Sequence, residues 1–144
     1  MSEATIWKKT FTLEGVNNIG EDCMPGYLDI KFTEYGDDYI CATMPVTAKN
    51  KQPMGLLHGG ASVVLAETIG SVAAILCVED PSKTSVGVEI NANHLRPVRT
   101  GIVTATARPV KIGRNLHVWN IEIRDEKDRL SCVSRFTAAI VDIK

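Results

Sequence analysis

HGGASVVLAETIGSVAAILCV (His58–Val78) has one charged side chain, Glu67, in the twenty residues that follow its histidine. A run of that length makes more than five helical turns, roughly 30 Å of helix. Small and apolar residues occupy every side of it, so the helix is expected to be buried all round. A lone ionised carboxylate in such surroundings costs several kcal/mol unless something compensates it. A chain that keeps Glu67 there is expected to use it; the plainer alternative is a salt bridge to an arginine such as Arg135. The stretch is also long enough to span a membrane. Its central glutamate and its many Gly, Ala, Ser and Thr residues fit a buried soluble helix better.

Working outward, Thr12 to Ile19 reads as a short helix with Thr12 as N-cap. Tyr27 to Thr33 alternates, with Leu28, Ile30 and Phe32 on one face, and Gly36-Asp37-Asp38 turns the chain into a return strand from Tyr39 to Met44. Pro45 to Pro53 is polar and reads as a loop. Beyond the long helix, Glu79-Asp80-Pro81-Ser82 breaks the pattern and four strand-like runs follow. They carry Val86, Val88 and Ile90, then Val103, Ala105 and Ala107, then Trp119, Ile121 and Ile123, and finally Ser131 to Val141. The order helix, two strands, buried helix, four strands is most economically met by one twisted antiparallel sheet curled around the long helix. That is an α+β arrangement, the hotdog fold. Ala66, Gly70, Ala73 and Ala74 would let the sheet approach closely.

The 144 residues suit a single domain, 1–144. With 16 Lys plus Arg against 17 Asp plus Glu, the net charge of −1 gives no electrostatic case for nucleic acid. Arg96, Arg99, Arg108, Lys111 and Arg114 cluster without an intervening acid, which suits either phosphate groups or a solvated sheet edge. The four cysteines have no C-x-x-C spacing, so neither a zinc site nor thioredoxin-type chemistry is expected. Cys41, Cys77 and Cys132 lie in apolar segments and should pack as small hydrophobes. The N-terminal MSEATIWKK has no apolar core of a secretory signal, and a cytoplasmic location with reduced thiols follows as the expectation.

Gly59 and Gly60 stand where the helix begins, with N–H groups that lack intrahelical partners and a dipole that favours negative charge. They suit a developing oxyanion, or they simply permit a tight turn into the helix. His58 can polarise a carbonyl or hold the loop through a backbone group. Ser71 lies one turn beyond Glu67 on the same face, within reach of its carboxylate or of a backbone carbonyl. Nine residues separate His58 from Glu67, a rise of roughly 13 Å on nearly opposite sides of a helix. If the two cooperate on one reacting atom, they come from two subunits across a two-fold interface.

KQPMGLLHGGASVVLAETIGS (Lys51–Ser71) resembles the hotdog acyl-CoA thioesterases of the phenylacetate-pathway type. More narrowly, the chain is similar to the branch of dihydroxynaphthoyl-CoA hydrolases and enterobactin-synthesis proofreading thioesterases. IWKK (Ile6–Lys9), ATMPV (Ala42–Val46), GVEINANHLRPV (Gly87–Val98) and KIGRNLHVWNIEIRDEK (Lys111–Lys127) extend the likeness over essentially the whole chain. The resemblance implies that Glu67 attacks a thioester or activates water, and that the Gly59 N–H forms the oxyanion hole. It implies that His58 and Gln52 hold and polarise the carbonyl while Ser71 orients the water. Coenzyme A would be contacted by Gly87, His94 and Arg96 and by Gly113, Arg114 and Asn115.

The implied partners are an acyl-CoA, first of all 1,4-dihydroxy-2-naphthoyl-CoA, or an aryl carrier protein. The implied assembly is a homodimer with shared sites, within a homotetramer. No metal or redox cofactor is implied. Met54 departs from a phenylalanine beside the Gln-Pro pair of relatives, and Ala74 and Ile75 fall at variable positions near the acyl site. Hotdog hydratases fit worse: five residues before the three histidines stand Pro53, Glu89 and Ile112 rather than aspartate. Nor is the early aspartate with a following Gly-His pair, used by the aspartate-nucleophile thioesterases, present. A non-catalytic acyl-CoA-binding module is the alternative from a different class.

Overall fold

The computed structural model describes residues 4–144, so the first three residues of the N-terminal stretch read for a secretory signal lie outside it. Two short helices come first, α1 (Leu13–Ile19) and α2 (Met24–Tyr27). Strands β1 (Lys31–Tyr35) and β2 (Ile40–Pro45) follow, then the long helix α3 (Gly59–Leu76). Strands β3 (Lys83–His94), β4 (Ile102–Ile112), β5 (Leu116–Arg124) and β6 (Leu130–Asp142) complete the order. Among the described residues the six strands form one antiparallel sheet, ordered β1-β2-β4-β5-β6-β3. The expected α+β hotdog architecture is what the chain adopts.

Local chemistry explains the elements. Thr12 caps α1 as expected, its hydroxyl accepting the Gly15 N–H at 3.0 Å. The first strand starts later than the alternation suggested. Pro25 seeds a helical turn through Tyr27, and Asp29 takes a positive φ of 57°, so pairing begins only at Lys31. Leu28, Ile30 and Phe32 are nonetheless buried, as their spacing implied. The polar segment after β2 contains a 3₁₀ turn, Ala48–Asn50, whose capping box joins Thr47 and Asn50. Asn50 is buried and also donates to the Pro45 carbonyl at 2.8 Å, so its side chain fastens the start of that loop.

One face of α3 lies on the sheet. Leu65, Ala66, Ile69 and Ala73 are completely buried there, against Val103, Ile121, Ile123 and Phe136. Each fully buried Leu or Ile stabilises the fold by about 1.5–3 kcal/mol. The small residues serve as expected: a Cβ on Gly70 would stand 2.7 Å from Phe136 Cδ1, so only glycine allows this approach. The expectation of burial on every side fails for the single chain. Glu67 and Ile75 are exposed, and Val63, Val64, Ser71 and Val72 are only half-buried. The sheet curls over one flank of the helix and stops at β3, its edge strand, where Val86 and Val88 are 44% and 57% exposed. The helix also ends at Leu76 with Cys77 as C-cap, two residues before the expected Val78.

Candidate active site

The loop entering α3 is positioned by backbone bonds. Leu57 N–H donates to the Val98 carbonyl at 2.7 Å and His58 N–H to that of Asn50 at 2.8 Å. His58 is then the N-cap, its Nδ1 accepting the Gly60 N–H at 2.8 Å. An accepting Nδ1 carries no proton, so in the neutral ring the proton sits on Nε2, which faces outward as a donor. The Ala61 N–H is taken by the His58 carbonyl at 2.9 Å. Among the described residues the Gly59 N–H alone is left free in this first stretch, at the positive end of the dipole. The loop-holding reading of His58 is met through Nδ1, and its ring is not among the residues that line the adjacent cavity.

Gln52, Gly59, His94 and Arg96 line a cavity of about 350 Å³ at this end of α3. The Gln52 side-chain oxygen accepts the Met54 N–H, which leaves its amide hydrogens free. The His94 ring lies against Gly59: a Cβ there would stand 2.8 Å from His94 Nε2. Leu56, Leu57, Pro97 and Val98 supply apolar walls, and Ser62 and Ser131 add hydroxyls. Ser62 and Ser131 carried no sequence signal. Short hydroxyl side chains occur in every element, and only the fold brings these two to one wall.

Glu67 does not line that cavity. Its carboxylate lies over β3, where a Cβ on Gly87 would come within 3.2 Å of Oε1. Gly87 sits beside a β-bulge and so contacts the acid rather than the group around His94. Glu67 forms no salt bridge among the described residues. Arg135 is exposed instead on a polar patch with Asn91, Asn93 and Asn120. Ser71 is half-buried beside Glu67, and its hydroxyl makes no hydrogen bond among the described residues. Neither a bond to the Glu67 carboxylate nor one to a backbone carbonyl is made there.

Gly113, Arg114 and Asn115 belong to the β4–β5 turn, at the opposite end of α3. The Gly113 N–H donates to the Leu116 carbonyl and the Asn115 carbonyl accepts from Ile140 N–H at 3.0 Å. Gly113 and Arg114 border a second cavity, about 500 Å³, with Lys8, Lys83 and His117. The basic cluster of the sequence is thus dispersed. Arg96 is at the first cavity, Arg114 at the second, and Arg108 pairs with Asp38 at 3.3 Å.

His117 is buried, and its Nδ1 has no partner among the described residues. Burial pushes its imidazole below the ordinary 6.5, the Gly113 backbone pulling weakly the other way. Between 6.5 and that lower value the unfolded chain binds a proton that the folded chain refuses. Stability from this residue is therefore full above 6.5 and lost as the pH falls through that window. Urea midpoints of wild type and His117→Gln, taken at ~pH 7.5 and ~pH 5.5, check this through linkage. The wild type should lose more on acidification; equal losses would refute the assignment.

A sequence model described as the thioesterase superfamily matches residues 54–132. The chain is 57% identical to the 1,4-dihydroxy-2-naphthoyl-CoA hydrolase of Escherichia coli (strain K12) over 136 residues, 94% of this chain and 99% of that one. It is 46% identical to the proofreading thioesterase EntH of Cronobacter sakazakii, covering 94% and 98%. The crystal structure of a Haemophilus influenzae thioesterase superposes with a TM-score of 0.93 at 54% identity, over 96% of each chain. A donor cluster at a helix start, an uncommitted carboxylate on the same helix and these likenesses agree: the chain belongs to the thioesterase superfamily and is a hotdog-fold thioester hydrolase.

Proposed function

We propose that the protein hydrolyses an aromatic acyl thioester of coenzyme A, with 1,4-dihydroxy-2-naphthoyl-CoA as the leading substrate. The observation that carries this is the division of the site. The cavity of Gln52, Gly59, His94 and Arg96 has hydrogen-bond donors but no acid, while the uncommitted Glu67 stands apart against the edge strand. An unpaired edge of twelve residues with exposed valines is a template for another strand. Pairing β3 with its two-fold copy would bring the partner subunit's Glu67 toward this cavity, giving two shared sites per dimer.

In such a site the thioester carbonyl oxygen accepts from Gly59 N–H, with the Gln52 amide and His58 Nε2–H as further donors. These groups stabilise the charge that develops on that oxygen in the tetrahedral transition state. The partner's Glu67 removes a proton from water or attacks the carbonyl carbon itself, and Ser71 beside it orients the water. The thiolate leaves without strong acid assistance. Arg96 at the first cavity and Arg114 at the second offer donors to the phosphates of coenzyme A.

A second reading, a proofreading thioesterase for a misacylated aryl carrier protein, is favoured by the likeness to EntH. Thiol release separates the two. Dihydroxynaphthoyl-CoA, benzoyl-CoA, palmitoyl-CoA and an aryl-loaded carrier protein are compared by kcat/KM. Preference for an aryl-CoA over both the aliphatic and the carrier-bound thioester is the expected result. Faster release from the carrier protein would overturn the coenzyme A assignment, and hydrolysis of none would return the chain to a binding role.

A further inference from the structure

The chain between β2 and α3 folds into a small hairpin, and Asn50 stands at its root. Asn50 is 4% exposed, and its polar groups are engaged on both sides. Its Oδ1 accepts the Thr47 N–H at 2.9 Å, its Nδ2 donates to the Pro45 carbonyl at 2.8 Å, and its own carbonyl accepts the His58 N–H at 2.8 Å. A buried amide bonded in this way is a fixed point, because freeing any partner leaves a desolvated group unpaired. From there the chain makes a closed excursion. Lys51 bridges to Leu57, Gln52 N–H donates to the Leu56 carbonyl at 2.8 Å, and Gly55 takes the turn with a φ of 80°. That value is open to glycine and strained for other residues. The outgoing leg presents Gln52, and the return leg ends in His58 and Gly59.

We infer that Asn50 is a positioning residue for the hydrolysis, holding the Gln52 amide and the Gly59 N–H at the spacing where both reach one thioester oxygen. The inference rests on the thioesterase reading above, which makes those two groups the donors. Asn50 itself is not among the residues lining the donor cavity, so it acts through them. Two bonds root the hairpin: Asn50 Nδ2 on Pro45, the last residue of β2, and Leu57 N–H on the Val98 carbonyl at 2.7 Å. With the first removed, the leg that carries Gln52 is no longer fixed to the sheet, while the return leg keeps its bond to Val98. The two donors then move relative to each other. A displacement of about 1 Å in such a site costs about 10²-fold in rate. The loss falls on kcat rather than KM, because the donors bind more strongly as charge develops on the oxygen.

Benzoyl-CoA supplies the test. Asn50→Ala should lower its kcat by about 10²-fold with KM changed by less than about threefold. Asn50→Ser, whose shorter side chain reaches only one of the two side-chain partners, should fall between Asn50→Ala and wild type. A loss of stability alone would not move a second readout, the infrared stretch of the isotopically labelled thioester carbonyl bound to Glu67→Gln protein. Donors lower that frequency, so adding Asn50→Ser or Asn50→Ala to Glu67→Gln should raise it, in the order of the kcat losses. Should the alanine variant not fold, the serine variant carries both measurements. An unchanged kcat in the folded variants, or a lowered kcat with the stretch unmoved, would overturn the role of Asn50 and leave the thioesterase reading standing. If wild type releases no thiol from benzoyl-CoA, both fall together.

Discussion

Glu67→Gln is expected to lower kcat/KM for an aryl-CoA by about 10³-fold, within the range that a positioned general base or nucleophile contributes. The amide is nearly the same size as the carboxylate but can neither take a proton from water nor attack a carbonyl carbon. The exposed position of Glu67 makes this a clean measurement. The side chain supports no salt bridge among the described residues and packs into no core, so the substitution should shift stability by no more than about 0.5 kcal/mol. A non-hydrolysable thioether analogue of the acyl-CoA, used as a probe, should still bind, because the oxyanion donors at Gly59 and Gln52 are untouched. A variant that keeps its melting temperature and probe affinity but loses thiol release identifies Glu67 as the acid of the reaction. Retention of more than about a tenth of the activity would move that role to another residue and undo the mechanism derived from this site.

The long helix, the order of strands and the close approach at Gly70 were legible because each rests on local or periodic chemistry. An unbroken apolar run between a glycine pair and a Glu-Asp-Pro breaker is a helix in almost any context. Alternation at Val103–Ala107 and Trp119–Ile123 likewise marks strands half-buried in a sheet. The first strand was misplaced because alternation at Leu28, Ile30 and Phe32 records burial and not conformation. A helical turn set by Pro25 and a left-handed Asp29 bury the same residues without pairing them.

The burial of α3 was misjudged for a different reason. Val63, Val64, Ile75, Val86 and Val88 are apolar, and hydrophobicity records that a residue leaves water without recording what covers it. A face covered by the chain's own sheet and a face that the sheet leaves exposed read alike. In the same way the donor cluster was legible from contiguous residues at a helix start. The separation of the coenzyme A candidates was not, since His94 and Arg114 are brought near or apart only by the strand order.

That exposed face leads to the sharpest test of the shared site. His58→Ala and Glu67→Gln, each nearly inactive alone, should regain about a quarter of wild-type activity when unfolded together and refolded as an equal mixture. Random pairing makes half of the dimers mixed. In each mixed dimer one site combines both substitutions, and the other joins the intact Glu67 of one subunit to the intact His58 of its partner. The geometry demands this result if catalysis needs both groups. Within one chain the donors and the acid lie roughly 13 Å apart along the helix axis, on different flanks. A Val88→Asp change on the unpaired edge strand should weaken the recovery, because it replaces an exposed apolar side chain of that edge with a charge that pairing would desolvate. Failure of the two inactive variants to complement, with mixed dimers demonstrated by mass spectrometry, would place both groups in one chain. The exposed face of α3 and β3 would then need an explanation other than the active site.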